Sequence, residues 1–339
     1  MNNRILSNSE GQRKVLAATG IIILFFIGLL IFSCKKSPEE ITIGYSAMRI
    51  SLPVFVAQEE GFFAAEGLNV KLLRFDTAQP LMNSLTAGSI QIAGYTALPI
   101  TYNAMLRGKT DLYFLTALFE DQNHRISYLI VPKDTPKTFT IADLKGKKIG
   151  ILTTLAYRVW LEEILKKHKV KPSEVEIVQI APALTPSALE SRQVDALFTN
   201  DPAATTVLQQ GIGRLLSEEV EVPGIMGGPF IFGSFNIRKD FANKNPLVTI
   251  KVMRALDRAV VFINKNQKEA SQIMKKYLHE SQKPFVDFYP DALYQTTFEI
   301  SPKHFQDIAD KYLAMGVIQQ PLKVEHLIIS ESSFVKQHD

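Results

Sequence analysis

The sequence predicts an α/β fold of two lobes, each with a mixed, mostly parallel sheet and flanking helices. Three observations carry this. From residue 41 onward, short apolar runs alternate with helical patterns of about ten residues, the signature of βαβ units. About 300 residues follow the leading apolar segment, more than one core usually holds. A second βα series begins near residue 130, and long helical patterns return after Pro246, as if the chain went back to its first lobe.

The leader comes first. Residues 1–14 are polar and carry Arg4, Arg13 and Lys14, residues 15–32 are uncharged and apolar, and Ser33-Cys34 follows. A basic start, an apolar stretch and a small residue before the break make a secretory signal. Residues 31–34 resemble the lipobox of bacterial lipoproteins, in which Cys34 would receive the lipid and become the new N-terminus, although Phe32 is bulky where a small residue is usual. The alternative is an uncleaved anchor, since ~18 apolar residues just span a bilayer. Either way the remainder is expected outside the cytoplasm, tethered to the bacterial cell membrane at the periplasm or cell surface. The expected organisation is a signal peptide at 1–33, a lipid-anchored tether at 34–40, lobe I at 41–129 and 229–339, and lobe II at 130–228.

Charge and cysteine content exclude other classes. Residues 1–33 hold three basic residues and one acidic, so their removal lowers the formal charge from +4 to +2. A nearly neutral chain gives no reason to expect nucleic acid. Cys34 is the only cysteine, so no internal disulfide or cysteine metal cluster is expected.

The elements follow in order. Residues 41–45 read as a strand, 52–58 as a helix stopped by Gly61, and 69–75 as a strand with alternating Val70 and Leu72. Pro80 opens a helix closed by Gly88. Residues 90–93 are the third strand, 98–107 the third helix and 112–118 the fourth strand. In the second series, 128–131 is a strand, Thr140 and Asp143 have capping-box spacing, 148–152 is a strand and 157–167 an amphipathic helix. Residues 175–180, 186–191, 194–198 and 202–209 continue the alternation, and 230–237 is a Phe-rich strand. Helical patterns at 247–264, 267–277 and 302–315 complete the chain.

In open α/β sheets, ligands bind beyond the carboxyl ends of strands, where helices begin. Small hydroxyl, amide and acidic residues recur there: Ser46, Asp76-Thr77, Tyr95-Thr96, Thr153-Thr154 and Asn200-Asp201. Each precedes a helix N-terminus, whose free N–H groups hold an anion without a charged side chain. Ser, Thr, Asn and Asp are also the ordinary N-cap residues, and Asp201-Pro202 is what a plain helix start looks like. Arg49 and Arg158 are candidate partners for an anionic ligand, and Tyr95 could stack on a ring.

Residues 41–270 resemble the solute-binding proteins of bacterial ABC importers for sulfonates, nitrate, taurine and thiamine-pyrimidine precursors. The motifs are Gly61-Phe62-Phe63 with Glu66-Gly67-Leu68-Asn69-Val70, then Leu85-Thr86-Ala87-Gly88-Ser89-Ile90, Val131-Pro132-Lys133-Asp134, and the run Ile141 to Gly150. Val194-Asp195-Ala196, and Phe241 with Asn245-Pro246, follow in the family's order. The resemblance implies a type II periplasmic-binding-protein fold with a ligand between two lobes, and a membrane permease and an ATPase as partners. No cofactor and no metal are expected. Carried over by position, it implicates Ser46, Thr77, Tyr95, Thr96, Thr153, Thr154, Asn200 and Asp201 in binding. Gln91 stands where the family usually has Asp, and Thr153-Thr154-Leu155 lacks the Gly-Ser type of anion loop.

No enzyme is expected. There is no phosphate-binding Gly-Lys loop, Gly211-Ile212-Gly213 lacks the third glycine of a dinucleotide fingerprint, and the six histidines are scattered. A fungal pyrimidine synthase shares the fold, but its hallmark is a cysteine cluster. A membrane-tethered ligand sensor acting on a receptor is the other reading of the same clamp. The expected solute is either a small oxyanion held by neutral donors or an amine-bearing heterocycle held by Asp76 or Asp201 with Tyr95. Closure of the two lobes is expected about linkers near 128–132 and 226–232.

Overall fold

The computed structural model describes residues 40–108 and 110–336. The expected signal segment and Cys34 lie outside them, and Glu40, the last residue of the expected tether, opens the first strand. The order is β1 (Glu40–Ser46), α1 (Leu52–Glu59), α2 (Phe62–Ala65), β2 (Asn69–Phe75), α3 (Ala78–Thr86), β3 (Ile92–Ala97), α4 (Leu98–Gly108), β4 (Leu112–Glu120) and β5 (Ser127–Pro132). Then come β6 (Lys148–Leu152), α5 (Leu155–Lys167), β7 (Glu176–Ile180), α6 (Thr185–Glu190), β8 (Ala196–Asn200), α7 (Ala203–Gln209), β9 (Gly213–Leu215) and α8 (Glu221–Met226). The chain ends with β10 (Phe230–Arg238), α9 (Lys239–Lys244), α10 (Pro246–Lys265), α11 (Gln267–Met274), β11 (Leu293–Gln295), α12 (Pro302–Ala314) and α13 (Glu331–Lys336).

Two sheets form. The first has the order β11-β4-β10-β3-β1-β2, the second β7-β6-β8-β5-β9. In the first, β1 runs parallel to β2 and β3, while β10 inserts antiparallel between β3 and β4. In the second, β6 is parallel to β7 and β8, and β5 is antiparallel to β8 and β9. Parallel pairs need crossover helices, which is why helical segments separate these strands. The sheet core reads accordingly: all nine residues of β4 are buried. Gly150 is fixed by packing, because a Cβ there would lie 2.4 Å from Ile180 Cδ1. Gly61 takes φ 69°, a left-handed conformation that separates α1 from α2.

Three expectations are corrected. The third strand runs Ile92–Ala97, not 90–93, because β10 pairs along it through Ser234↔Thr96 and Gly233↔Ala97. Tyr95 and Thr96 therefore lie inside a strand, not in a loop behind one. The strand expected at 194–198 is Ala196–Asn200, held to its last residue by Ser127↔Asn200. The first linker is not near 128–132, which belong to β5; the chain leaves the first sheet at Glu120 and joins the second at Ser127. Six short elements, α2, β9, α8, α9, β11 and α13, had no pattern long enough to read.

One apolar core runs through both sheets, and a second, smaller cluster around Ile130, Leu197 and Val207 packs on the second sheet. Trp160 of α5 is fully buried, its ring centroid 5.5 Å from Phe230 and 5.0 Å from Phe232 of β10, and its indole N–H donates to Tyr312 Oη of α12 at 3.0 Å. A helix beside the second sheet is thereby fastened to elements of the first. A buried indole contributes a large apolar area and keeps its N–H paired, as here.

Candidate ligand-binding cleft

The carboxyl ends of β1, β3, β6 and β8 meet around a small enclosed space of about 20 Å³. From the first sheet's side it is lined by Met48, Ala78, Ala97 and Ile100; from the second, by Leu152, Thr154, Ala156, Tyr157 and Asn200. Three helices of at least nine residues begin here. Ala78 is the first residue of α3, Ala97 directly precedes α4, and Thr154 is the N-cap of α5. Thr154 has the extended backbone of an N-cap, φ −143° and ψ 148°, and its hydroxyl accepts from Tyr157 N at 3.4 Å. Helix starts converge here because each strand gives way to its helix within two residues.

Of the sequence-predicted residues, Thr154 and Asn200 line this space. Asn200 ends β8, and its Nδ2 faces Met48 Sδ across the cleft at 3.9 Å. Ser46 is buried with no partner for Oγ among the described residues, and so is Ser51 at the start of α1. Buried hydroxyls are seldom left unpaired without a water or ligand to explain them.

The other predicted residues are placed differently. Arg49 and Asp201 are both buried and occupied with each other, Nη1 to Oδ2 at 3.7 Å. Arg49 also donates to Arg125 O at 2.5 Å and to Pro290 O. Burial works against the Arg49 charge; Asp201 and three nearby tyrosines outweigh it, and the guanidinium pKa rises. The Asp201 carboxylate further accepts from Tyr128 Oη at 2.9 Å, Thr205 N at 3.1 Å and Thr205 Oγ1 at 2.6 Å. Burial, then the Asp201 charge, holds the Tyr128 hydroxyl well above its usual pKa, so it stays a donor. Arg49 and Asp201 clasp the segment after β1 to the start of α7. Thr96 is in a buried network, 2.6 Å from Thr101 Oγ1 and 2.5 Å from Asn236 Nδ2. Asp76 and Thr153 are exposed, Thr77 is half-buried, and Arg158 pairs with Glu162 at 3.6 Å. Gln91 accepts from Thr42 N at 2.8 Å.

Sequence reasoning missed Met48, Ala78, Ala97, Ile100 and Tyr157. Apolar residues at helix starts look like core, and only the meeting of four strand ends brings them together.

Over residues 35–278 the sequence matches the NMT1-like family. The chain belongs to that family. It is 27% identical over 221 residues to the taurine-binding periplasmic protein of Escherichia coli, covering 65% of each chain. The chain thus spans about two thirds of the length of this curated relative. The alkanesulfonate-binding protein SsuA from Xanthomonas axonopodis, solved bound to MOPS, superposes with a TM-score of 0.67 at 22% identity, over 86% of this chain and 98% of that one. Periplasmic-binding-protein fold is therefore the architecture of this family member, as the sequence implied. An enzyme is also among the relatives: the yeast 4-amino-5-hydroxymethyl-2-methylpyrimidine phosphate synthase THI11 is 22% identical over 263 residues, 75% of this chain and 71% of that one.

Proposed function

We propose that this family member is an extracytoplasmic solute-binding protein of an ABC importer, capturing a small oxyanion-bearing solute between two closing lobes without chemical change. Lobe I is residues 41–126 with 229–339, lobe II residues 127–228. The observation that carries the reading is the convergence of three helix N-termini on a cleft lined by no charged side chain. Such a site holds an anion through backbone N–H groups and helix dipoles. Thr154 and Asn200 add neutral donors. An amine-bearing heterocycle is disfavoured, since Asp201 is already neutralised by Arg49 and Asp76 is exposed. The sulfonate- and taurine-binding relatives support the same class.

The space of about 20 Å³ admits one water and no organic solute, so the lobes must part to load. Motion is assigned to the two crossings, residues 121–126 and 227–229, with Gly227 at φ 86° in the second. Lipidation of Cys34 would hold the protein at the membrane, and a permease with its ATPase would receive the closed form. A thermal-shift screen of the full chain in mild detergent tests the reading, with taurine, alkanesulfonates, nitrate and aminopyrimidines as probes. At 100-fold its dissociation constant a true ligand adds about 2.7 kcal/mol. Stabilisation by an oxyanion supports the proposal. Stabilisation by aminopyrimidine alone refutes it.

A further inference from the structure

A second cleft adjoins the first. It encloses about 270 Å³ between α3, α4 and the first residue of α5. Ile100 lines both spaces; Leu155 lines the outer one, while its neighbours Thr154 and Ala156 line the inner. One aliphatic partition thus separates them. The outer wall has different chemistry. Arg107 from the last turn of α4 lines it and has no hydrogen bond or ion pair among the described residues. Asn83 accepts from Gln79 Nε2 at 3.1 Å through its carbonyl, which leaves its own amide N–H groups available. A guanidinium and an amide facing one cleft are the donors a carboxylate or second sulfonate requires.

Resting on the reading that the inner cleft takes an oxyanion, we infer that the solute is two-headed. One sulfonate enters the inner cleft, a short aliphatic spacer passes Ile100 and Leu155, and a second anionic group meets Arg107 and Asn83 in the outer cleft. The substrate class is an ω-sulfocarboxylate. A solute carrying an ammonium at its second end, such as taurine, meets the Arg107 charge with the wrong sign.

Arg107 also complements the negative end of the α4 dipole, whatever the ligand. The test therefore reads a ratio of affinities and not a single affinity. Isothermal titration of the full chain in mild detergent compares 3-sulfopropanoate, propane-1-sulfonate and taurine, in the unaltered protein and in Arg107→Gln. The expected result is 3-sulfopropanoate bound about tenfold tighter than propane-1-sulfonate, the scale of one charge-assisted contact, with taurine weakest. In Arg107→Gln that ratio falls to about one. Equal affinities in the unaltered protein, or a ratio that survives Arg107→Gln, overturns the outer subsite while the inner one stands. Binding of none of the three overturns the inner reading and the subsite with it. Melting temperature identifies any variant that fails to fold.

Discussion

Replacing Arg49 with methionine should cost the protein a large share of its stability. The change keeps the apolar stem and removes the buried guanidinium. It strands the Asp201 carboxylate, which is 2% exposed, with only Tyr128 and Thr205 as donors. Breaking a buried ion pair from one side costs about 3–5 kcal/mol. The carbonyls of Arg125 and Pro290 lose a donor as well, adding about 1 kcal/mol where water cannot replace it. The total approaches the lower end of the 5–15 kcal/mol that whole domains possess. Urea unfolding followed by tryptophan fluorescence measures it, and Trp160, the one tryptophan, sits where elements of the two sheets meet. Arg49→Met with Asp201→Asn removes the stranded charge and should recover about 2 kcal/mol. A loss below about 1 kcal/mol in Arg49→Met, or a double variant as unstable as the single, would refute the clasp.

Four further outcomes are expected. Thr154→Ala and Asn200→Ala should each weaken sulfonate binding by about tenfold in titration calorimetry, with Thr154→Ala also losing about 0.5–1 kcal/mol for its cap. Trp160→Ala should cost about 3–5 kcal/mol in urea unfolding followed by circular dichroism, against about 1 kcal/mol for Tyr312→Phe, which removes only the indole's acceptor. Burial raises the Asp257 carboxyl to about 6 despite its bonds from Thr297 at 2.7 and 2.6 Å. Its contribution is therefore present below the unfolded value near 4 and lost as pH rises through about 6, a span of roughly 2–3 kcal/mol that Asp257→Asn should flatten in pH-dependent melting. Burial likewise raises Glu120, whose Oε1 accepts from Ser127 and Ile126 where the chain crosses between sheets, so Glu120→Gln should remove a second loss of stability toward higher pH.

The alternation of short apolar runs and helices was enough to place most strands, because local pattern and pairing agree there. Residues 148–152 and 69–75 were readable to the residue. Strand ends were not readable where a partner distant in sequence decides them. The third strand reads as ending at Ala93, yet β10, 140 residues away at the Asn236–Thr96 contact, holds β3 extended to Ala97. The same limit applies at the cleft. Thr154 and Asn200 could be named because their loops follow strands. Arg49 and Asp201 carry the right chemistry for a ligand but satisfy one another, and only the fold brings two residues 152 positions apart into contact. Arg107, at the far end of its helix from the cleft-forming terminus, had no signal at all.

The clasp and the small cleft bear on one equilibrium, and together they predict the reverse of the sequence expectation for Arg49. The Arg49–Asp201 pair is already at 3.7 Å, the edge of direct contact, with the lobes packed around a space of about 20 Å³. A solute that holds the lobes even slightly wider stretches this pair further. The clasp thus favours the collapsed arrangement over the solute-filled one, and the fraction of molecules competent to load sets the apparent affinity. Removing the pair in the Arg49→Met, Asp201→Asn double variant should therefore speed sulfonate association in stopped-flow and tighten binding by a few-fold. If Arg49 instead touched the solute's oxyanion, the same variant would bind at least tenfold more weakly and release faster. The two outcomes differ in sign, so one titration of the double variant decides whether Arg49 closes the empty cleft or holds what enters it.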